Sequence, residues 1–303
     1  MATKKKVKAE RSILGDRMRL TKSSDLVEYY VSDVGNVLLD RSRISRFWKK
    51  HKFNSNRFAE TNEKDLHKLV NSQVTANRFG LKSLTFGNWL TYEERVEFLI
   101  GLTDALFLIQ ETIFPNKTTK IVGQGILSIS LGGRGRGGSA AAHYEPFGDF
   151  INLTKPYING GSLFHEYSHF VDYNLAKRLK LKSEHFVSGG DSTRKTVDED
   201  KLKSKIKLVR LFEQLFQILY WNEDGKPTTF QNNLKDATDY YNYRNEVFAR
   251  TCEVYIYLKI KKKNTILTGK KHESKVYPSA ALVEKCIPIL DQIFQSFAVG
   301  RFS

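Results

Sequence analysis

His165-Glu166-Tyr167-Ser168-His169, entered from Gly160-Gly161-Ser162 and followed by Phe170-Val171-Asp172, reads as a helix with a metal-binding face. Residues four apart share one side of a helix, so the two imidazoles point at one spot. Glu166, one step along, is placed to take a proton from a water activated there. Around this core Leu163, Phe164, Tyr167, Phe170, Val171 and Leu175 fall at helical spacing, which predicts a helix from Leu163 to about Leu179 packed on the interior. Ser162 is the expected N-cap, after a turn over Lys155–Ser162 and a strand at Phe150-Ile151-Asn152-Leu153.

Two imidazoles need a third ligand, because a catalytic zinc takes three protein donors and keeps one position for water. Three carboxylates compete. Glu246 is preferred: it opens an expected helix running to about Lys261, with Val247, Phe248, Val254, Tyr255, Ile256 and Leu258 for packing, so a rigid element presents it. Asp172, one turn after His169, suits the orienting of His169 or a nearby backbone group. Glu253 shares the Glu246 face and fits either task, or an ion pair with a nearby base. Cys252 lies off the Glu246 face and is not expected to coordinate.

Two neutral rings and one carboxylate leave a zinc site with net positive charge, enough to bring a water toward a pKa of about 7. Glu166 then acts as base and afterwards as acid toward the departing amine. A phenol among Tyr240, Tyr241 and Tyr243 is expected to steady the oxyanion, with Tyr240 preferred.

These residues resemble a known family. Gly133-Arg134-Gly135-Arg136-Gly137-Gly138-Ser139-Ala140-Ala141-Ala142-His143-Tyr144-Glu145-Pro146, then Ile151-Asn152-Leu153-Thr154-Lys155, the HExxH with Asp172 behind it, and Asn245-Glu246-Val247-Phe248-Ala249-Arg250 are similar to the zincin-like large polyvalent protein-associated domains of phages and conjugative elements. The likeness runs from Phe79-Gly80-Leu81 and Phe86-Gly87-Asn88-Trp89 to Tyr277-Pro278. It implies a zincin-like metallopeptidase encoded by a phage or mobile element, with Zn2+ as cofactor and a protein or peptide substrate. Glu-x-Phe-Ala-Arg also resembles the third-ligand helix of anthrax lethal-factor-type zincins, whose corresponding Glu binds zinc. There the position of Arg250 is acidic, so the surroundings of the ligand are expected to differ.

Ala140–Tyr144 reads as a strand beside the cleft, whose small residues Ala141 and Ala142, with His143, would receive an extended substrate. The arginines of the preceding glycine-rich loop are candidates for contact with acidic substrate or nucleic acid; the loop lacks the Lys-Ser/Thr ending of a P-loop. The chain has 303 residues, enough for one large domain with an appendage. Residues 1–75 are expected to form a basic, mostly helical appendage with a disordered tail, including a run from Ser24-Asp25 to Val31 and a piece at Ile44, Phe47 and Trp48. Residues 76–303 are expected to form the α+β domain: a core helix from Thr91 to Ile109 with Glu94 completing a capping box, strands at Lys120–Val122 and Ile126–Leu131, a small mixed sheet, and helices from about 196 onward.

The sequence contains neither a membrane span nor a secretory signal, and its two cysteines do not suggest a disulfide framework, so a cytoplasmic protein is expected. The net charge of +16, with lysines near both ends, points to non-specific nucleic-acid contact or to solubility. A DNA-tethered SprT-like protease and a non-catalytic basic virion protein with a zincin fold are the alternative readings.

Overall fold

A computed structural model describes residues 72–88, 90, 92–115, 117–133, 142–154, 160–181, 186–260, 264–269 and 274–299. The helical pieces expected near 24–31 and 44–48, the Thr91 cap, the arginines of the glycine-rich loop, Ala141, and the turn at 155–159 lie outside the described residues, as do the lysines at 261–263 and 270–271. The described chain is α+β, as the patterns predict, with one small mixed sheet and many helices. It divides into two units. Of the described residues, one unit takes those up to Phe107 and those within Val122–Asn159 and Lys262–Ile266; the other takes those within Leu108–Ile121, Gly160–Lys261 and Leu267–Ser303.

The first unit holds the sheet. Strands β1 (Ser83–Phe86), β2 (Ser128–Leu131), β3 (Ala142–Glu145) and β4 (Phe150–Leu153) lie in the order β1-β2-β4-β3, with β1, β2 and β4 parallel and β3 antiparallel on the edge. All four residues of β2 are buried, because a strand inside a parallel group is covered on both faces. Helix α1 (Ser72–Phe79) packs on β1. Thr75 bonds Thr103 across 3.1 Å, so the boundary expected at residue 75 falls inside a packed helix of this unit. Helix α2 (Tyr92–Ile113) buries Leu99, Leu102, Ala105 and Leu106 completely.

The strand expected at Lys120–Val122 does not form. Thr119–Ile121 is a single 3-10 turn, and Gln124 and Gly125 take left-handed φ values of 51° and 77° to reverse the chain. Gly123 allows this: a Cβ there would lie 2.4 Å from the Gly80 carbonyl oxygen. The amides of Ile126 and Leu127 bond back to Gly123 at 3.0 Å, which delays β2 to Ser128.

The second unit is helical: α3 (Leu163–Arg178), α4 (Glu199–Leu202), α5 (Lys207–Tyr220), α6 (Thr229–Lys235), α7 (Asp239–Asn242), α8 (Arg244–Lys259) and α9 (Ala280–Val299). The six apolar residues named above for α3 are all fully buried, each contributing about 1.5–3 kcal/mol if wholly withdrawn from water. Phe164 and Phe170 meet Phe294 and Phe297 of α9 at 5.7 and 5.6 Å between ring centres. Ser162 precedes α3 as expected but has helical backbone angles and no capping side-chain bond.

Helix α8 lies against α3 and α9, and every residue from Arg244 to Ile256 is buried. Enclosure on all sides forces its charged residues to find partners, since an unpaired ion away from water costs several kcal/mol. Arg244 donates to Glu213 of α5 at 2.9 Å and to the Ser188 carbonyl at 2.7 Å, and lies over the Phe216 ring. With Arg244 1% and Glu213 2% exposed at the side chain, Glu213→Ala would strand a buried guanidinium. A loss of about 3–5 kcal/mol is expected, read as a lower urea midpoint.

Candidate metal centre

Helix α3 presents His165 and His169 one turn apart, and α8 brings Glu246 against them. The Nε2 atoms of the two rings are 3.2 Å apart, His165 Nε2 is 3.5 Å from Glu246 Oε2, and His169 Nε2 is 3.3 Å from Glu246 Oε1. Donors at about 2.0–2.1 Å around a tetrahedral zinc stand about 3.3–3.4 Å from one another. The three side chains therefore already hold the spacing a small divalent cation requires, and their donor atoms all lie within 4.8 Å of one another. Asp172 and Cys252 take no part in this cluster.

The donor set also fits a metal in its outer contacts. Glu253, two turns beyond Glu246, lies 2.7 Å from His165 Nδ1. A carboxylate can only accept, so the ring proton sits on Nδ1 and the Nε2 lone pair is left for the metal. The same Oε1 accepts from the Tyr277 hydroxyl at 3.0 Å. Glu253→Gln with the Tyr277 bond retained should weaken metal binding about 10–100-fold, measured against a competing chelator.

Arg250 donates to Glu246 Oε2 at 2.9 Å and to the Tyr241 carbonyl at 3.2 Å. It thus fixes the Glu246 oxygen that faces His165, while the other oxygen faces His169. Asp172 does not approach as a ligand. Its Oδ1 accepts from the Ser188 backbone at 3.0 Å, anchoring the segment before α4 to the histidine helix. Burial raises its pKa to about 6 against the opposing bonds from Ser188 and the charge of His169.

The electrostatics of the cluster are those of crowded carboxylates facing imidazoles. Burial raises Glu166, opposed by the two histidines and reinforced by Glu246 and Glu253, so this carboxylate holds a proton more readily than a free one. Burial also opposes ionising Glu246, but its bonds to His165 and His169, with their charges, outweigh that and hold it well below the usual carboxylate range. For His165, burial disfavours charge, yet hydrogen bonds with Glu246 and Glu253 and the charges of Glu253 and Glu166 prevail and raise its pKa from 6.5 to about 10. In the metal-free protein the ring is therefore protonated at neutral pH, and a metal must displace that proton. Apparent affinity should climb with pH from neutrality toward 10, by up to about tenfold per unit, in chelator titrations at several pH values.

Tyr240 is 51% exposed, with its hydroxyl turned to the cluster: partial burial, then the charge of Glu246 and a hydrogen bond with it, raise this phenol. Tyr241 instead lies against the Arg250 guanidinium, 4.7 Å from the ring centre. Ala142 and His143 do form a strand, the edge strand β3 of the first unit, where His143 Nε2 pairs with Glu145 at 3.0 Å. Cys252 and Cys286 are both buried thiols.

The residues that sequence reasoning did not assign are Tyr277 and the Arg250 clamp. Arg250 follows Glu246 at i+4, a spacing that signals an ion pair, whereas Tyr277 has no local signature. Compared with family models, curated proteins and solved structures, the chain matches none. Fold and site thus define an α+β protein with a buried cluster of two histidines and a glutamate able to hold a metal ion. No described helix is long and apolar enough to cross a membrane.

Proposed function

We propose that this chain is a zinc-dependent metallopeptidase of the HExxH-plus-glutamate kind, with His165, His169 and Glu246 as ligands and Glu166 as the proton carrier. The observation that carries the reading is the spacing of three donors from two separate helices, which suits a tetrahedral zinc, beside the buried carboxylate of Glu166, which interacts with both histidines through charge. An α+β fold with the HExxH on one helix and the third donor on a later one is in keeping with a zincin, and the likeness to polyvalent-protein domains makes a phage or mobile element the natural source.

Bound zinc would supply Lewis acidity, lowering the pKa of a water toward about 7 and polarising a peptide carbonyl. Glu166 accepts the proton that water gives up, and its raised pKa lets it keep that proton until the amide nitrogen leaves. The Tyr240 phenol, neutral throughout the working pH range, donates to the carbonyl oxygen as negative charge gathers there. Glu253 and Tyr277 keep the His165 ring in its binding tautomer. Arg250 restrains Glu246 so that little reorganisation accompanies binding.

Iron is the competing occupant of two histidines and a carboxylate, but Glu166 has no counterpart in that chemistry. Elemental analysis of the purified protein decides: one equivalent of zinc, with cleavage of quenched peptides stopped by chelator and restored by zinc, is expected. Iron in its place, or no cleavage of any peptide by the zinc-loaded protein, would sink the reading. The +16 charge supports non-specific contact with nucleic acid, which would appear as cleavage stimulated by DNA and suppressed by salt.

A further inference from the structure

A cavity of about 420 Å3 opens in the second unit between the start of α6, the segment Ser274–Tyr277 and the first turns of α9. That is the size of an ordinary ligand pocket. Its lining includes Lys275 and Lys285, the amides of Asn222 and Asn233 and several hydroxyls, and none of its described lining residues is acidic. Neither lysine makes an ion pair among the described residues. Two hydrogen bonds in series link the cavity wall to the metal cluster: the Tyr277 hydroxyl bonds Glu253, and Glu253 bonds His165.

We infer that this cavity binds an acidic stretch of polypeptide, with Lys275 and Lys285 meeting its carboxylates and Asn222 and Asn233 its main-chain amides. The inference rests on the metallopeptidase reading and deepens it by assigning a class of substrate to a cavity linked to the cluster through Tyr277 and Glu253. The chemistry favours peptide over nucleic acid. Two ammonium groups and two amides suit carboxylates and peptide bonds, and no arginine fork for phosphate lines the cavity. Of the two aromatic residues in the lining, Phe230 is buried, and the Tyr277 hydroxyl is already held by Glu253.

The test measures binding rather than turnover, so it stands apart from the fate of the zinc reading. A fluorescein-labelled hexaglutamate peptide is titrated into metal-free protein carrying Glu166→Gln, by anisotropy, beside hexaglutamine and a labelled oligo-dT of equal charge. Hexaglutamate is expected to bind most tightly, about fivefold weaker in each of Lys275→Ala and Lys285→Ala and weaker still in the double variant. Both lysines are exposed, so unchanged melting curves are expected and confirm that folding is intact. Equal affinity for the oligonucleotide would overturn the inference in favour of general attraction to a basic surface. Hexaglutamate binding that survives the double variant would overturn it equally, and Asn233→Leu, on the apolar side of the charge question, should reduce binding without altering its salt dependence.

Discussion

Glu166→Gln should lower peptide hydrolysis by about 10²–10⁴ while zinc content and melting temperature stay close to those of the wild type. The expectation follows from position. Glu166 belongs to the same helix as both histidines, is buried beside them, and interacts with the cluster through charge rather than by supplying a donor to it. A glutamine keeps the shape and loses the basic oxygen, so only proton transfer is removed. If activity were unaffected, Glu166 would have no part in the chemistry. If instead zinc were lost along with activity, Glu166 would be a ligand, and the three-donor assignment would be wrong. A protein that carries zinc, never cleaves a peptide and is indifferent to this substitution would be a structural zinc protein, and the non-catalytic reading would take over.

Glu246→Ala should abolish stoichiometric zinc binding. Removing a partner that merely orients a ligand costs about 10–100-fold in affinity, so loss of one of three donors should exceed that and reach about 10³-fold or more. A second consequence separates this residue from an ordinary surface carboxylate. Arg250 is buried and donates to Glu246 Oε2, so truncation leaves its guanidinium with the Tyr241 carbonyl and the Tyr240 and Tyr241 rings but no carboxylate, and should cost about 3–5 kcal/mol of stability even without metal. Glu246→Gln keeps an acceptor for Arg250 and removes the charge, so it should lose most zinc affinity with a smaller fall in melting temperature. One equivalent of zinc retained in both variants, measured by elemental analysis, would show that the third donor is elsewhere, with Glu253 the next candidate.

Much of the site was legible because its strongest signals are local. An imidazole pair at i and i+4 shares a face in any helix, and the apolar residues of Leu163–Arg178 fall at helical period, so the strip that carries the histidines could be read without a partner. Glu246 and Glu253 were legible as members of one helical face but not as holders of different posts. Their separation depends on how far along α8 the α3 helix crosses: Glu246 meets Nε2 of both rings, while Glu253 meets Nδ1 of His165 on its other side. The failed strand at Lys120–Val122 has a similar cause. Its β-branched residues suit an extended chain, but the close approach of Gly123 to Gly80 turns it back.

Sequence alone determined the α+β make-up and the helical face that offers metal-binding side chains, because helical and strand periods and the residue types of a metal face are properties of neighbouring positions. Tertiary structure alone decided that Glu246 and not Asp172 faces the paired rings, that Arg250 clamps it, and that Tyr277 braces Glu253 from 24 residues away. Those choices rest on ångström-scale convergence between helices distant in the chain, which is set by how their buried faces pack.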